Sequence, residues 1–170
     1  MSKGKLNIVI GAAGCGKSTY INSIKKPSDI VISTDEIRTE IFGNADCQDK
    51  SGLVFAIFHG RIAEALSKGK TVWADATNIS VLARSDYFKY AKGYFIKAHI
   101  LPASLETCMY RNANRERKVP SVVISKMIHF IELPTKYEPM TSVVIYNDGD
   151  HYYEIPYRGE SYYQLIGAHV

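Results

Sequence analysis

The run Leu6-Asn7-Ile8-Val9-Ile10-Gly11-Ala12-Ala13-Gly14-Cys15-Gly16-Lys17-Ser18-Thr19 decides how the rest of the chain is read. Its first five residues are apolar apart from Asn7, with Ile8, Val9 and Ile10 β-branched, which suits a strand buried on both faces. Residues 11–18 then satisfy GxxxxGK[ST] between that strand and a segment able to form a helix. Gly11, Gly14 and Gly16 let the backbone curl so that successive N–H groups point inward at phosphate oxygens, and the helix adds its positive end. Lys17 supplies a cation for β- and γ-phosphates, and the Ser18 hydroxyl is a Mg²⁺ ligand of the usual kind. Cys15 lies inside this loop near a helix N-terminus, a position expected to lower a thiol pKa. Alkylation of Cys15 is therefore expected to inactivate the protein, with MgATP protecting it.

Strands and helices alternate outward from this loop. Residues 30–32 read as a second short buried strand, and Ser33-Thr34-Asp35-Glu36 as a helix start that runs to about Phe42 and stops at Gly43. Leu53, Ile57, Ile62 and Leu66 recur at near-helical spacing, and residues 71–74 form a strand ending on Asp75. Beyond it the pattern predicts a helix over 80–92, a strand over 94–101, helices over 104–116 and 121–131, and a strand over 142–146. Such alternation indicates an α/β fold with a mainly parallel sheet. Asn147-Asp148-Gly149-Asp150 is turn-forming, and residues 148–170 are rich in tyrosine, including Tyr152, Tyr153, Tyr157, Tyr162 and Tyr163. This tail is read as an extension of the domain formed by residues 1–147. Its tyrosines are expected to serve packing or a subunit contact more often than base stacking.

Bulk properties narrow the class. With 170 residues, 46% hydrophobic and 22% charged, the chain is sized and composed for one globular domain. Three cysteines, an odd number without CxxC spacing, argue for reduced thiols and a cytoplasmic setting. The run 6–10 is too short for a signal peptide, and no stretch reaches bilayer length, so no membrane partner is expected. The five histidines form no HxH or HExxH pair, so a metal is expected to arrive with the nucleotide.

No NKxD-like segment reads guanine, which leaves ATP as the expected nucleotide. Transfer of a phosphoryl group to a hydroxyl needs a proton acceptor, and Asp35 stands just past the second strand at the carboxyl edge of the sheet. Arg38 follows three residues later, on the same helical face, where it can hold a phosphate or orient Asp35. The plainer alternative makes Asp35 a helix-dipole partner and Arg38 a surface charge. Asp75 is placed either to help hold Mg²⁺-bound water or to brace Arg38, and the sequence leaves both open. Thr77 and Asn78 follow on the same edge, with capping by Thr77, Asn78 or Ser80 as the simpler reading. Arg111, Arg115 and Lys118 recur at four and three residues with Arg117 adjacent, read as a basic stripe along a helix able to bring a cation to the γ-phosphate.

Four ordered blocks, residues 11–19 (GAAGCGKST), 33–38 (STDEIR), 75–78 (DATN) and 111–120 (RNANRERKVP), resemble the kinase domain of phage T4-type polynucleotide 5′-hydroxyl kinases and the related domains of RNA-repair enzymes. The resemblance implies a P-loop kinase-like three-layer α/β/α fold with a helical lid, binding ATP and Mg²⁺. It implies Lys17, Ser18 and Thr19 in the phosphate and Mg²⁺ site and Asp35 as general base. Arg38 then lies on the acceptor's phosphate, Arg115 is the lid arginine, and Arg111 is a second lid candidate. Asp75, Thr77 and Asn78 fall on the acceptor side. The implied acceptor is a 5′-OH end of DNA or RNA, and no healing of 3′ ends is expected. Two alternatives stand beside it: a kinase for another hydroxyl, such as a nucleoside, sugar or modified base, or a non-catalytic nucleotide-binding module. A net charge of +4 is modest for a polynucleotide binder, and oligomeric state is not legible.

Overall fold

The computed structural model describes residues 3–45, 50–135 and 137–140, and the backbone of 142–147 and 151–156. Its elements are β1 (Lys5–Ile10), α1 (Lys17–Ile24), β2 (Ile30–Ser33), α2 (Thr34–Phe42), α3 (Ser51–Ser67), β3 (Thr71–Asp75), α4 (Val81–Tyr90), β4 (Phe95–Ile100), α5 (Leu105–Ala113), α6 (Ser121–His129), β5 (Ser142–Asn147) and β6 (His151–Pro156). The sheet runs β2-β3-β1-β4-β5-β6, with five parallel strands and β6 antiparallel to β5. The mainly parallel α/β fold expected from the alternation is the one observed. β6 was not foreseen; it lies in the tyrosine-rich stretch and pairs Asn147 with His151. Cys47 and residues 157–170 fall outside the described residues.

β1 shows why a continuous apolar run is needed here. Successive side chains point to opposite faces, so Leu6, Ile8 and Ile10 enter one core and Val9 the other. Neighbouring β3 divides likewise, with Val72 and Ala74 on the first side and Trp73 on the second. The first core is closed by Ile37 of α2, by Val54, Phe58, Ile62 and Leu66 of α3, and by Tyr87 of α4. The second is closed by Tyr20 and Ile21 of α1, Cys108 of α5 and Ile124 of α6. Three layers result. Each fully buried aliphatic side chain of β1 contributes about 1.5–3 kcal/mol. Among the described residues, no helix is long and apolar enough to cross a membrane.

A polar chain runs through the second core. The Asn7 amide donates to the Val72 carbonyl (3.3 Å), which turns its Oδ1 toward His99 Nε2 at 3.1 Å, while His99 Nδ1 lies 2.8 Å from the Tyr20 hydroxyl. Asn7 Oδ1 only accepts, so the network assigns the proton to Nε2 and lets Tyr20 donate to Nδ1. His99 is thus satisfied as a neutral ring, and burial holds its pKa down to about 3 from an ordinary 6.5. Unfolding exposes a ring that binds a proton below pH 6.5, so His99 supports the fold above that value and its contribution is lost as pH falls toward 3. The expected loss approaches about 1.4 kcal/mol per pH unit within that window. Urea titrations at stepped pH check this: His99→Gln should flatten the acid slope relative to wild type, and equal slopes would assign the loss to other groups.

Candidate active site

The crossover from β1 to β2 leaves a gap that β3 fills, while the chain continues to β4 on the other side. The carboxyl ends of β1 and β3 therefore lie where connections diverge, the usual place for a site in an open α/β sheet. Gly14 and Gly16 take φ values of 83° and 102°, turning the loop after β1 so that α1 starts at Lys17. α2, α4 and α5 are capped by the hydroxyls of Ser33, Ser80 and Ser104, whereas α1, α3 and α6 begin without a side-chain bond, and of these α1 is the one that starts behind the glycine turn, at Gly16. An N-terminus left without a side-chain acceptor is the arrangement that receives an anion. The Lys17 ammonium lies across the loop, donating to the carbonyls of Gly11 (3.1 Å) and Ala12 (2.9 Å).

The register pairs Ser33 with Asp75, so the ends of β2 and β3 bring two carboxylates to one cleft. Asp75 Oδ2 accepts from the Ser18 hydroxyl at 2.9 Å. Burial pushes the Asp75 carboxyl up, against the pull of Ser18 and Lys17; the Asp35 charge adds to the rise and Arg115 opposes it. Asp35 sits in the first turn of α2, three residues before Arg38, whose NH1 is 3.4 Å from Oδ1. Arg38 is buried, and its Nε has no hydrogen-bond partner among the described residues. Arg111, in the last turn of α5, donates to the Cys15 carbonyl at 3.0 Å. Arg115, Arg117 and Lys118 line the same cleft, which encloses about 1400 Å³. That exceeds a usual single-ligand pocket and leaves room for a second molecule beside a nucleotide.

A family model for the AAA domain matches residues 6–134, the span that holds β1 from Leu6 onward, the glycine loop and all the cleft residues named above. The chain belongs to this AAA-domain family. A protein of Autographa californica nuclear polyhedrosis virus, provisionally named bifunctional polynucleotide kinase/RNA ligase, is 28% identical over 135 residues, 70% of this chain and 19% of that protein. A chain of the Pnkp1/Rnl/Hen1 RNA repair complex superposes with a TM-score of 0.68 at 20% identity, over 88% of this chain and 53% of its own. A gluconokinase from Sinorhizobium meliloti 1021 superposes at 0.57 and 20% identity, over 85% and 84%. At these identities the two solved structures show the fold alone. The chain spans about a fifth of the viral relative's length and about half of the repair-complex chain. Motif, family and fold together make it a kinase-type P-loop domain resembling polynucleotide kinase domains.

Within this P-loop domain several sequence expectations meet different local physics. The stripe Arg111, Arg115, Lys118 is not helical: α5 ends at Ala113 with Asn114 as its C-cap. Asn112 stops it, donating from Nδ2 to the Val119 carbonyl (2.8 Å) and accepting from the Val119 N–H (2.9 Å). Residues between this clasp form a loop, and the guanidinium it brings to Asp35 is that of Arg117, 2.5 Å from Oδ2. Arg117 was read only as a neighbour of the stripe; residues 115–117 form bends, so neither helical nor strand spacing singles it out.

Asp75 meets Ser18 rather than standing alone at the strand end. Thr77 lines the cleft, and its carbonyl accepts from the Gly11 N–H. Asn78 is buried at φ 51°, its amide donating to Val9 (2.8 Å) and Ala76 (3.2 Å) and its Oδ1 accepting from Tyr87. Its side chain ties the β1 and β3 ends together, and the helix that follows is capped by Ser80. Thr19 lines the cleft and is exposed.

Cys15 overturns its expectation. The thiol is buried against Gly11, where an added Cβ would stand 2.4 Å from Sγ, and burial pushes its pKa up, outweighing Lys17 and Arg111. Iodoacetamide is therefore expected to label Cys15 in urea but scarcely in the native protein, with MgATP making little difference. Peptide mass spectrometry reads this out, and rapid native labelling would contradict it.

Proposed function

We propose that this domain transfers the γ-phosphate of MgATP to the 5′-hydroxyl of a DNA or RNA end. The observation that carries the reading is the meeting, in one cleft, of a P-loop lysine and serine with a carboxylate at the start of α2. Lys17 and the α1 N-terminus hold the triphosphate, and Arg111 steadies the loop through the Cys15 carbonyl. Ser18 and Asp75 present hard oxygen donors at hydrogen-bond distance, and the raised Asp75 carboxyl is what a neighbouring cation relieves. No group of three or more His, Cys, Asp or Glu gathers among the described residues, so Mg²⁺ would share phosphate and water ligands rather than sit in a protein cage. When bound, it screens the phosphate charge. Asp35 takes the hydroxyl proton, Arg38 offers its spare Nε to a phosphate of the acceptor, and Arg115 faces charge developing on the transferred group.

The likeness in sequence to a viral polynucleotide kinase/RNA ligase supports the nucleic-acid acceptor. The gluconokinase fold match supports a small-molecule hydroxyl as the second reading. Labelled ATP supplied with 5′-OH oligonucleotides, nucleosides and gluconate decides between them. Transfer confined to oligonucleotide ends is expected, and transfer confined to gluconate or nucleosides would replace the proposal.

A further inference from the structure

The peptide group between Ala12 and Ala13 is held at both ends. Its carbonyl oxygen accepts from the Lys17 ammonium at 2.9 Å, and its N–H donates to the thioether sulfur of Met127, 3.5 Å away on α6. A peptide unit is planar and turns as one piece, so whatever fixes the N–H also fixes the oxygen that seats Lys17. The loop has little slack around this point. Ala12, Ala13 and Cys15 are buried in the second core with Cys108 and Ile124, and Arg111 holds the Cys15 carbonyl at 3.0 Å. Met127 itself is half-buried and lines the cleft, whereas Met109 packs against the same core without lining the cleft and Met140 is buried.

We propose that Met127 is a positioning residue for Lys17 and that its sulfur is a site of reversible oxidation by hydroperoxides. In that step a sulfur lone pair bonds to the terminal oxygen of the hydroperoxide and the O–O bond breaks. The departing oxygen takes the proton of the transferred one and leaves as water or an alcohol, and sulfur ends two electrons more oxidised, as the sulfoxide. The thioether, a weak acceptor on an apolar body, suits both its bond to the loop and its core neighbours; the sulfoxide is polar and larger. An N–H···O bond alone spans about 2.7–3.2 Å, so the 3.5 Å between nitrogen and sulfur takes no oxygen in line unless one end moves. Either the peptide plane tilts, or Met127 swings into the cleft and leaves the N–H unpaired. Both unseat Lys17, and the grip on a nucleotide's phosphates falls. The inference rests on nucleotide binding by the glycine loop and is indifferent to the acceptor.

Calorimetry with MgADP on the full chain, before and after hydrogen peroxide, tests this. Wild type is expected to lose about tenfold or more in affinity on oxidation, in step with the one oxygen that mass spectrometry finds on the Met127 peptide. A thiol reductant should leave the loss in place, and methionine sulfoxide reductases should reverse it, so these two treatments decide the matter without any substitution. Met127→Leu should bind alike before and after peroxide, while Met109→Leu should behave as wild type. The unfolding midpoint without nucleotide should not move on oxidation, because a displaced lysine alters binding and not the core. Oxidised wild type within about twofold of the reduced protein, a loss that a thiol alone reverses or that persists in Met127→Leu, or a midpoint that falls with the affinity overturns the proposal. Reduced wild type that takes up no MgADP removes the nucleotide site itself, whereas uptake that oxidation leaves unaltered removes only the role of Met127.

Discussion

Asp35→Ala lowers phosphoryl-transfer turnover by about 10²–10⁴ while MgATP binds much as it does to the wild type. The separation follows from position. The nucleotide side of the cleft is built on β1, the glycine loop and α1, whereas Asp35 stands on α2 at the end of β2, joined to that side only across the cleft. Its backbone N–H is bonded to the Ser33 hydroxyl, so removing the carboxylate leaves the helix start intact. Asp35→Asn sharpens the test, because it keeps the size of the side chain but not the basicity. Rapid-quench transfer assays at saturating MgATP, with binding by calorimetry, read the two quantities independently. Turnover within a few-fold of wild type in both variants would remove Asp35 from the chemistry.

Arg84→Ala should cost about 3–5 kcal/mol of stability. Arg84 is fully buried on α4 and meets Glu138 through a two-bond fork, Nε to Oε1 at 2.7 Å and NH2 to Oε2 at 3.0 Å. Its NH1 donates to the carbonyls of Asn78 and Glu132, each at 2.9 Å. Truncation leaves the Glu138 carboxylate buried with, among the described residues, only the Thr135 N–H, and strips the donor from the Asn78 carbonyl in the turn that follows Asp75. The paired replacement Arg84→Leu with Glu138→Leu removes both charges together and should be less damaging than Arg84→Ala alone. Urea unfolding measures all three proteins. A loss near 1 kcal/mol for Arg84→Ala would mean that water reaches Glu138.

The features legible in the sequence were those written locally. A β-branched run, a glycine turn and a lysine-serine pair each depend on neighbours a few residues away, and so does the Asp35–Arg38 pair, whose i,i+3 spacing the helix turns into proximity. What stayed hidden depends on contacts distant in sequence. The Cys15 thiol follows burial under β1 and α5 rather than its place near a helix start. The early end of α5 is set by an amide reaching seven residues ahead, and Arg117 reaches Asp35 only because of it. β6 needed β5 as a template before its alternating pattern meant anything.

At Gly14 a Cβ would stand 2.4 Å from the Cys108 carbonyl, so the phosphate-binding turn rests directly on the backbone of the helix that bears Arg111. The two halves of the machinery therefore share one van der Waals surface. Any side chain added to that turn must displace the arginine helix in the same step, so the shape of the loop and the placement of Arg111 cannot be tuned independently.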